Sequence, residues 1–312
     1  MKMMHQLRNS FLLLATGLVM TSTMVSCSKD DDPAPVQPNI VDVVNSNANF
    51  SLLKQAIDRA GIGSALTGSN LTVFAPDNDA FAASGITSTV INSLTPAQLT
   101  DILTYHVVGA RVASGSVPVS DTVKTLQGQN IYASRNANGV FVNGVAVKSA
   151  DVAASNGVIH VISSVLMAPT ENIAEIATGE PELSRLVTAV VHAGLLPAIQ
   201  GPGKFTVFAP TNAAFTAAGF PDDASITAAP SSVVADIVRA HILPTNVFAS
   251  DLIAGANTPT IQTGVSLLIA TTPPSVKING SANPASNIVV PAGVNIMAKN
   301  GVVHLIDRVI LP

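Results

Sequence analysis

The sequence predicts an α+β fold that occurs twice, in two tandem domains. Thr-Val-Phe-Ala-Pro stands at residues 72–76 and again at 206–210. The two phenylalanines are 208 − 74 = 134 residues apart, which is the length of a domain and not of a short structural repeat. Within each copy, helical spacing comes first and strand patterns come late. That order favours an α+β fold over a doubly wound parallel sheet, in which helices and strands alternate.

Further matching pairs follow in the same order along both copies. His106 corresponds to His241, Asn-Gly at 143–144 to Asn-Gly at 279–280, and Asn-Gly at 156–157 to Asn-Gly at 300–301. The offset grows from 136 to 144 between the last two pairs, so the second copy carries 144 − 136 = 8 extra residues between positions 280 and 300. A chain of 312 residues with 47% hydrophobic content is large enough for two cores.

The first segment of the chain is typical of a secretory signal. Lys2 and Arg8 precede an apolar run at residues 11–20 that is short for a membrane span. We therefore divide the chain into a signal peptide at 1–26, an acidic and proline-rich tether at 27–38, and domains at 39–169 and 170–312.

Cys27 is the single cysteine of the sequence, so it cannot form a disulfide within the chain. Met-Val-Ser-Cys at 24–27 resembles a bacterial lipobox, and the several acyl chains of a lipoprotein cysteine are enough for stable anchoring. Ser-Lys-Asp-Asp-Asp at 28–32 resembles an export signal for the outer face of the outer membrane. We expect a lipid anchor at Cys27 and exposure at the cell surface. The alternatives are an ordinary signal peptide with an incidental cysteine, and a solvated charge run.

Each domain opens with a predicted helix and a short strand. In the first copy the apolar residues from Phe50 to Ala60 follow helical spacing and stop at Gly61, a suitable C-terminal glycine; the second copy repeats the helix at 183–194. A strand follows at 71–74, and Asp77 is placed to cap the next helix, as Thr211 is in the second copy.

The rest of each copy contains a capped helix, a hairpin and a last strand. Thr95 and Gln98 form a predicted capping box, with apolar residues and His106 on one face of the helix that follows. Asn-Gly at 143–144 is a strong signal for a two-residue hairpin. The final strands are predicted at 158–166 and 302–311.

These motifs resemble the fasciclin (FAS1) domain family. Both copies carry Thr-Val-Phe-Ala-Pro-x-Asn-x-Ala-Phe, a His after the central helix, and Asn-Gly-x-x-His-x-Ile near the end, in that order and over about residues 39–312. The resemblance implies a compact β-wedge with helices packed along one edge. It also implies an extracellular module associated with adhesion and no common catalytic activity, although a fold alone does not establish function.

The resemblance also implies candidate partner-binding residues. A Tyr-His pair and an Asp-Ile pair bind receptors in some animal members; Tyr105 and His106 match the first, and Asp151-Val152 approximates the second. The second copy has Ala240-His241 and Asn287-Ile288 instead. For His106 the alternative is a hydrogen-bonded core residue, because a histidine on an apolar helix face usually has a structural role.

The sequence offers little chemistry for catalysis. Four of the six histidines form repeat pairs, His106 with His241 and His160 with His304, and no His, Cys, Asp and Glu residues cluster at metal-ligand spacing, so no metal and no cofactor is predicted. A nucleophile elbow, a phosphate loop and repeated carboxylates are also missing, so we expect no enzyme. Nucleic acid is excluded as a partner by charge: after removal of residues 1–26, 15 − 2 = 13 basic side chains face 19 acidic ones.

The function predicted from the sequence is adhesion, or contact with the envelope or matrix, through an extracellular protein or glycan. The alternative is a glycan-binding accessory lipoprotein in polysaccharide capture. With no Trp and two Tyr, the chain supplies few aromatic faces for stacking on sugars. Asp-Thr-Val at 121–123 resembles a bacterial O-glycosylation acceptor, which makes Thr122 a candidate modification site.

Overall fold

The structure is a computed structural model that describes residues 37–118, 120–271, 274–278, 284–289 and 293–312. The predicted signal peptide, Cys27 and most of the tether therefore lie outside the described residues, and so does the second Asn-Gly pair at 279–280. Within the described ranges, no helix has the length and apolar character needed to cross a bilayer.

In domain 1, helices and strands build one mixed sheet with helices against it. The helices are α1 (Ile40–Ser46), α2 (Ser51–Ala60), α3 (Asn78–Ala83), α4 (Ser88–Ser93) and α5 (Pro96–Tyr105). The strands are β1 (Leu71–Pro76), β2 (Val107–Val108), β3 (Ser120–Lys124), β4 (Asn130–Asn136), β5 (Gly139–Val142), β6 (Val145–Ala154) and β7 (Gly157–Ile162). The sheet order is β2-β1-β7-β6-β5-β4-β3, and the β1–β7 pair is parallel while the other pairs are antiparallel.

Domain 2 repeats this order with its strands divided between two sheets. The helices are α6 (Ile173–Gly179), α7 (Ser184–His192), α8 (Leu196–Gln200), α9 (Asn212–Ala217), α10 (Asp223–Ala228) and α11 (Ser231–Ala240). The strands are β8 (Phe205–Pro210), β9 (Ile242–Leu243), β10 (Asn257–Pro259), β11 (Ser266–Thr271), β12 (Pro274–Ile278), β13 (Ser286–Asn287), β14 (Ile296–Ala298) and β15 (Gly301–Ile306). The described sheets are β14-β15-β8-β9 and β10-β11-β12-β13, linked by a bridge between Ile288 and Ile306.

The predicted α+β class is correct, and the local signals placed several elements accurately. Helix α2 ends at Gly61, which has φ +71°. Asp77 caps α3 by accepting a hydrogen bond from the Ala80 N–H at 2.8 Å, and Thr95 and Gln98 form the expected capping box of α5. The β5–β6 hairpin turns at Asn143 and Gly144, both with positive φ, as a two-residue turn between twisted strands requires.

Two predictions about element bounds were wrong. The final strands end at Ile162 and Ile306, several residues before the predicted ends at 166 and 311. The chain turns there, and the Leu166 N–H is used by a histidine ring instead of a strand. Helices α1 and α6, which precede the predicted first helices, were missed, although Asn39 and Asn172 begin them with capping boxes.

The parallel pair at the centre of each domain needs a glycine. Gly157 pairs with Leu71, and Gly301 pairs with Phe205. A Cβ atom on either glycine would collide with the carbonyl oxygen of its partner, so the two strands approach more closely than any other residue permits. In each domain the parallel pair then separates two apolar layers, one under the helices and one on the opposite face.

Candidate functional site

The repeated histidines after α5 and α11 are buried and hydrogen-bonded on both ring nitrogens. His106 Nδ1 lies 2.7 Å from the Ile102 carbonyl oxygen, and its Nε2 accepts a hydrogen bond from the Leu166 N–H at 2.8 Å. His241 makes the same two bonds, to Ile237 and Ile310. Because a carbonyl only accepts, Nδ1 carries the proton and the ring is neutral. Burial lowers the pKa of both rings to about 4.

The second pair of histidines is held in the same way by loop backbone. His160 Nε2 lies 2.8 Å from the Val112 carbonyl oxygen, and His304 Nε2 lies 2.9 Å from the Val247 carbonyl oxygen. Burial lowers the pKa of His304 to about 4. The four repeated rings therefore stabilise the fold, and their nitrogens are occupied by backbone groups and are not free to act as bases.

Tyr105 and His106 are not available to a partner in this structure. Tyr105 is 0% exposed and His106 is 3% exposed. The Tyr105 hydroxyl donates to the Asn130 carbonyl oxygen at 3.1 Å and accepts from Asn143 Nδ2 at 2.9 Å, and burial raises the pKa of this hydroxyl. Partner binding by these two side chains stays a prediction that their burial does not favour, and the core role considered for His106 agrees with its contacts.

Asp151 is the exposed member of the candidate set, and its carboxylate caps a turn. Its Oδ1 accepts from the Ser114 N–H at 2.9 Å, and Oδ2 accepts from the Ser114 hydroxyl. These bonds, the one from the hydroxyl first, hold the pKa of Asp151 below its ordinary value. Its backbone has φ +58°, and its N–H donates to His160 Nδ1 at 3.2 Å.

The structure also corrects the residue that corresponds to Asp151 in domain 2. Asn295 has φ +56°, donates its N–H to His304 Nδ1 at 3.3 Å and accepts from the Ala249 N–H at 2.8 Å. It therefore stands where Asp151 stands, at an offset of 295 − 151 = 144, and the match to Asn287 was wrong. The extra residues of the second copy consequently precede Asn295.

Thr122 lies on the edge strand β3 and is half-buried. Its N–H donates to the Asp121 carboxylate at 2.7 Å, and its hydroxyl accepts from Lys204 Nζ of domain 2 at 3.1 Å. The candidate modification site is therefore also a contact between the two domains. Its glycosylation stays a prediction, as does acylation of Cys27, which lies outside the described residues.

The contact between the domains has an aromatic centre and polar surroundings. The rings of Tyr132 on β4 and Phe248 of domain 2 lie 5.1 Å apart, and Phe248 is 0% exposed. Beside them, Ser134 Oγ donates to Asp251 Oδ1 at 2.5 Å, and Asn136 Nδ2 donates to the Ser250 carbonyl oxygen at 2.7 Å. These contacts hold the 3₁₀ turn Ala249–Asp251 against the outer part of the domain 1 sheet.

The hairpin of domain 1 reaches the same junction because its turn has no side chain at the contact point. A Cβ on Gly144 would lie 2.8 Å from Asn295 Nδ2 and 3.0 Å from Phe248 Cδ1. Asn143 supports the turn from below, since its Oδ1 accepts from the Tyr132 N–H at 2.7 Å. Tyr105, Asn143 and Tyr132 therefore connect the core of domain 1 to the surface that meets domain 2.

Two clefts of opposite charge flank this junction. One, of about 600 Å³, is lined by Glu171 and Glu180 as its charged residues, and we call it the acidic cleft. The other, of about 450 Å³, is lined by Lys204 and Lys299 as its charged residues, and we call it the basic cleft. Pro169 and Met297 contribute to both clefts, so the linker between the domains separates them.

The basic cleft is lined by residues of both domains. Thr122, Gln129, Asn130 and Tyr132 come from domain 1, and Lys204, Asn246 and Lys299 come from domain 2. Sequence reasoning named Thr122 alone among them. A difference between the two copies could have identified the lysines. Lys204, just before β8, corresponds to Asn70, just before β1, and Lys299 corresponds to Ser155, each just before an Asn-Gly pair.

Among the described residues, no three His, Cys, Asp or Glu side chains come close enough together to hold a metal ion. The arrangement at the junction suits recognition by hydrogen bonds and charge.

Comparison with protein families identifies the class of this α+β domain pair. The fasciclin domain model matches residues 48–168 and 181–312. The chain therefore belongs to the fasciclin (FAS1) domain family, with two copies of the domain. Helices α1 and α6 precede the matched ranges and pack into the apolar layers of the two domains.

Relatives occur in bacteria and animals. Protein sll1483 of Synechocystis is 41% identical over 133 residues, which cover 42% of this chain and 73% of the relative. Transforming growth factor-beta-induced protein ig-h3 of Sus scrofa is 30% identical over 248 residues, or 78% of this chain, and the chain spans about a third of its length. A solved FAS1 pair from the insect cell adhesion molecule fasciclin I matches 86% of this chain and 98% of that chain, with 18% identity and a TM-score of 0.41.

Proposed function

We propose that this protein is a lipid-anchored protein of the outer membrane, exposed at the cell surface, whose two FAS1 domains mediate adhesion or contact with the envelope or extracellular matrix. The observation that carries the proposal is the fasciclin domain itself, present twice, since FAS1 domains are found in cell-adhesion proteins such as ig-h3. The junction supports it, because buried contacts between the domains present them to a partner as one unit.

We also propose a non-catalytic role. The buried rings of His106, His241 and His304 are neutral and bonded to backbone on both sides, so they cannot exchange a proton without breaking those bonds. The exposed carboxylate Asp151 is engaged in capping a turn. Binding, to a protein or glycan and not to nucleic acid, is the activity left to the described surface.

The anchor is tested by Cys27→Ala in the native host cells. Cells that express the unchanged chain should hold it in the membrane fraction until detergent is added, because acyl chains at Cys27 are needed to keep it there. The variant should appear in the soluble fraction or the medium. Ser28→Ala is the matched control and should stay with the membrane. An identical distribution of Cys27→Ala and the unchanged chain would refute the anchor.

Adhesion is tested by deletion and complementation. Cells without the protein should attach less to matrix-coated surfaces or aggregate less, and the wild-type chain should restore the behaviour. Protease treatment of intact cells should cut the protein if it is exposed. Unchanged attachment and aggregation would contradict the adhesion role, and a chain left uncut would contradict surface exposure.

A second candidate function is glycan capture by an accessory lipoprotein. The basic cleft favours it, because it combines two cationic side chains with neutral hydrogen-bonding residues at a domain interface. Binding of the full-length chain to a glycan array, without loss of cell attachment on deletion, would distinguish capture from adhesion.

A further inference from the structure

We propose that the basic cleft is a binding site for an acidic saccharide, with Lys204 and Lys299 contacting its carboxylates. The proposal names the ligand class of the glycan contact considered above and rests on that function. It concerns residues of both domains, so the site exists only when the pair is assembled.

The charge of the cleft favours an anion. Lys204 and Lys299 are exposed, and the residues that line the cleft include no Asp or Glu. The ion pairs of the described residues join other side chains: Lys54–Asp58, Lys148–Asp77 and Arg239–Asp236. Lys204 donates to the neutral hydroxyl of Thr122. Two cations without acidic partners, in a chain with an excess of acidic residues, form a site for an anion.

The cleft also contains a hydrogen-bond acceptor that lacks a donor. Asn246 lines the same cleft, and its Oδ1 is buried with no hydrogen-bond partner among the described residues. A buried acceptor without a partner costs free energy, and a rotation of the Asn246 amide toward the cleft would let a donor on a bound ligand remove that cost. Hydroxyl groups are such donors. The ligand therefore carries hydroxyls as well as negative charge, as a uronate does.

The residues of domain 2 that line the cleft differ from their counterparts in domain 1. Arg111 stands in domain 1 where Asn246 stands in domain 2, because Val112 and Val247 make the same hydrogen bond, to Thr72 and Thr206 respectively. With Asn70 for Lys204 and Ser155 for Lys299, the cleft residues of domain 2 differ from their counterparts. The fold of a single domain does not require these residues, since domain 1 folds with different ones at the matching positions.

The size and the lining favour a saccharide over an acidic peptide. A volume of about 450 Å³ lies within the range of small-ligand sites. Gln129 and Asn130 add neutral polar groups that suit hydroxyls. An acidic peptide would instead pair with the open edge of β3, and that mode makes no use of Asn246 or Lys299 on domain 2.

The test is calorimetric titration of the full-length chain in detergent with an oligogalacturonate, a neutral galactan of the same length and a poly-glutamate peptide. The oligogalacturonate should bind at least about tenfold more tightly than the other two, and its affinity should fall with added salt. Lys204→Gln and Lys299→Gln should each weaken binding by about tenfold, the loss of one charge-assisted contact. Lys54→Gln, at an exposed lysine of α2, is the control and should bind as the wild type does.

Asn246→Leu gives a second readout. It should weaken binding while leaving the salt dependence unchanged, and the free variant should be at least as stable as the wild type, because it removes a buried acceptor without a partner. A variant that is less stable and binds normally would show that Asn246 is structural only, and would overturn its part in the site.

Several results would overturn the proposal. Absence of oligogalacturonate binding, equal binding of the neutral galactan, or unchanged affinity in both lysine variants would refute it, and tighter binding of poly-glutamate would assign the cleft to an acidic peptide. Failure of this site is distinguishable from failure of the proposed function. Normal uronate binding with unchanged cell attachment on deletion rejects adhesion alone, whereas lost attachment without uronate binding rejects the cleft alone.

Discussion

Domains 1 and 2 agree in their interiors and differ where they meet. In both, the strand that carries Thr-Val-Phe-Ala-Pro, β1 or β8, has a buried threonine near its start, Thr72 or Thr206. The threonine hydroxyl accepts a hydrogen bond from a loop N–H at 2.8 Å and donates one to a loop carbonyl oxygen at 2.6 Å in each domain. Both pairs of histidines also repeat their contacts. These residues are needed by each domain separately, which explains why they are present twice.

The junction uses residues that occur in one copy alone. Phe248 follows Val247 where Ala113 follows Val112, and Asp251 stands where Ser116 stands. Tyr105, which supports the Asn143 turn, is replaced by Ala240. A 3₁₀ turn forms at this position in both domains, at Ser114–Ser116 and at Ala249–Asp251, so it does not need the aromatic anchor. The anchor is present where a neighbouring domain covers it. Residues shared by both copies therefore stabilise each domain, whereas residues found in one copy connect the two domains.

The largest effect is expected from breaking the shared framework. Gly301→Ala should destabilise domain 2 by about 3 kcal/mol or more, because the new methyl group would push β15 away from β8. Gly157→Ala should do the same in domain 1. Urea unfolding of the full-length chain measures both. Gly63→Ala and Gly179→Ala, where a Cβ meets nothing within 4 Å, are the controls.

Breaking the junction should have a comparable but different effect. Phe248→Ala removes a fully buried ring and its contact with Tyr132, at a cost of about 3 kcal/mol. Because Ala113 occupies the matching position in domain 1, the turn itself should survive. We expect calorimetry to change from one transition to two as the domains separate. Ile253→Ala, at a side chain 59% exposed, is the control. A single transition in Phe248→Ala would show that the domains are joined by other contacts.

Acid should weaken both domains through their buried histidines. The pKa values of His106, His241 and His304 are about 4 in the folded state, against about 6.5 in the unfolded chain. Above pH 6.5 both states are neutral and stability is complete. As the pH falls from 6.5 to 4, the unfolded chain takes up protons that the folded chain does not, so stability falls by an amount on the order of 3 kcal/mol per histidine. Urea midpoints from pH 7.5 to 4.5 measure this loss of stability. His241→Gln should reduce the pH dependence of the unfolding free energy by the contribution of one proton. Midpoints that do not change with pH would contradict this explanation.

The smallest effect is expected at the support of the junction. Tyr105→Phe leaves Asn143 Nδ2 without the hydroxyl that it donates to, and should cost about 1 to 2 kcal/mol. Binding to a partner should not change, since the ring is buried. Lost attachment by cells that carry a stable Tyr105→Phe chain would restore Tyr105 as a contact residue.

Local signals in the sequence predicted much of each domain. Gly61, Asp77, the Thr95 capping box and the Asn143 turn act within a few residues, so their geometry is readable without a structure. The short helix α1 was missed because its few residues carry a capping signal and little periodicity. The last strand was overestimated because the bond from Leu166 to His106 joins positions 60 apart in sequence.

The candidate site depended on information that a single sequence does not contain. The position of the inserted residues decides whether Asn287 or Asn295 matches Asp151, and it became clear only from shared contacts with His160 and His304. Tyr132 and Phe248 meet across 116 positions, and Lys204 and Lys299 reach the same cleft from different loops. Comparison of the repeated motifs identifies residues present in both copies, whereas these junction and cleft residues differ between the copies.

The parallel pairing of β1 with β7, and of β8 with β15, also affects the order in which the chain folds. Leu71 pairs with Gly157, and Phe205 pairs with Gly301, so the parallel strands cannot pair until nearly the whole domain has been synthesised. Contacts this distant in sequence make closure slow. During synthesis from the N-terminus, domain 1 would fold first and its strand β4 would already be in place. Phe248 would then pack against β4 as domain 2 folds. We therefore expect a chain that stops before Gly301 to keep a protease-resistant domain 1 and to lose domain 2 entirely.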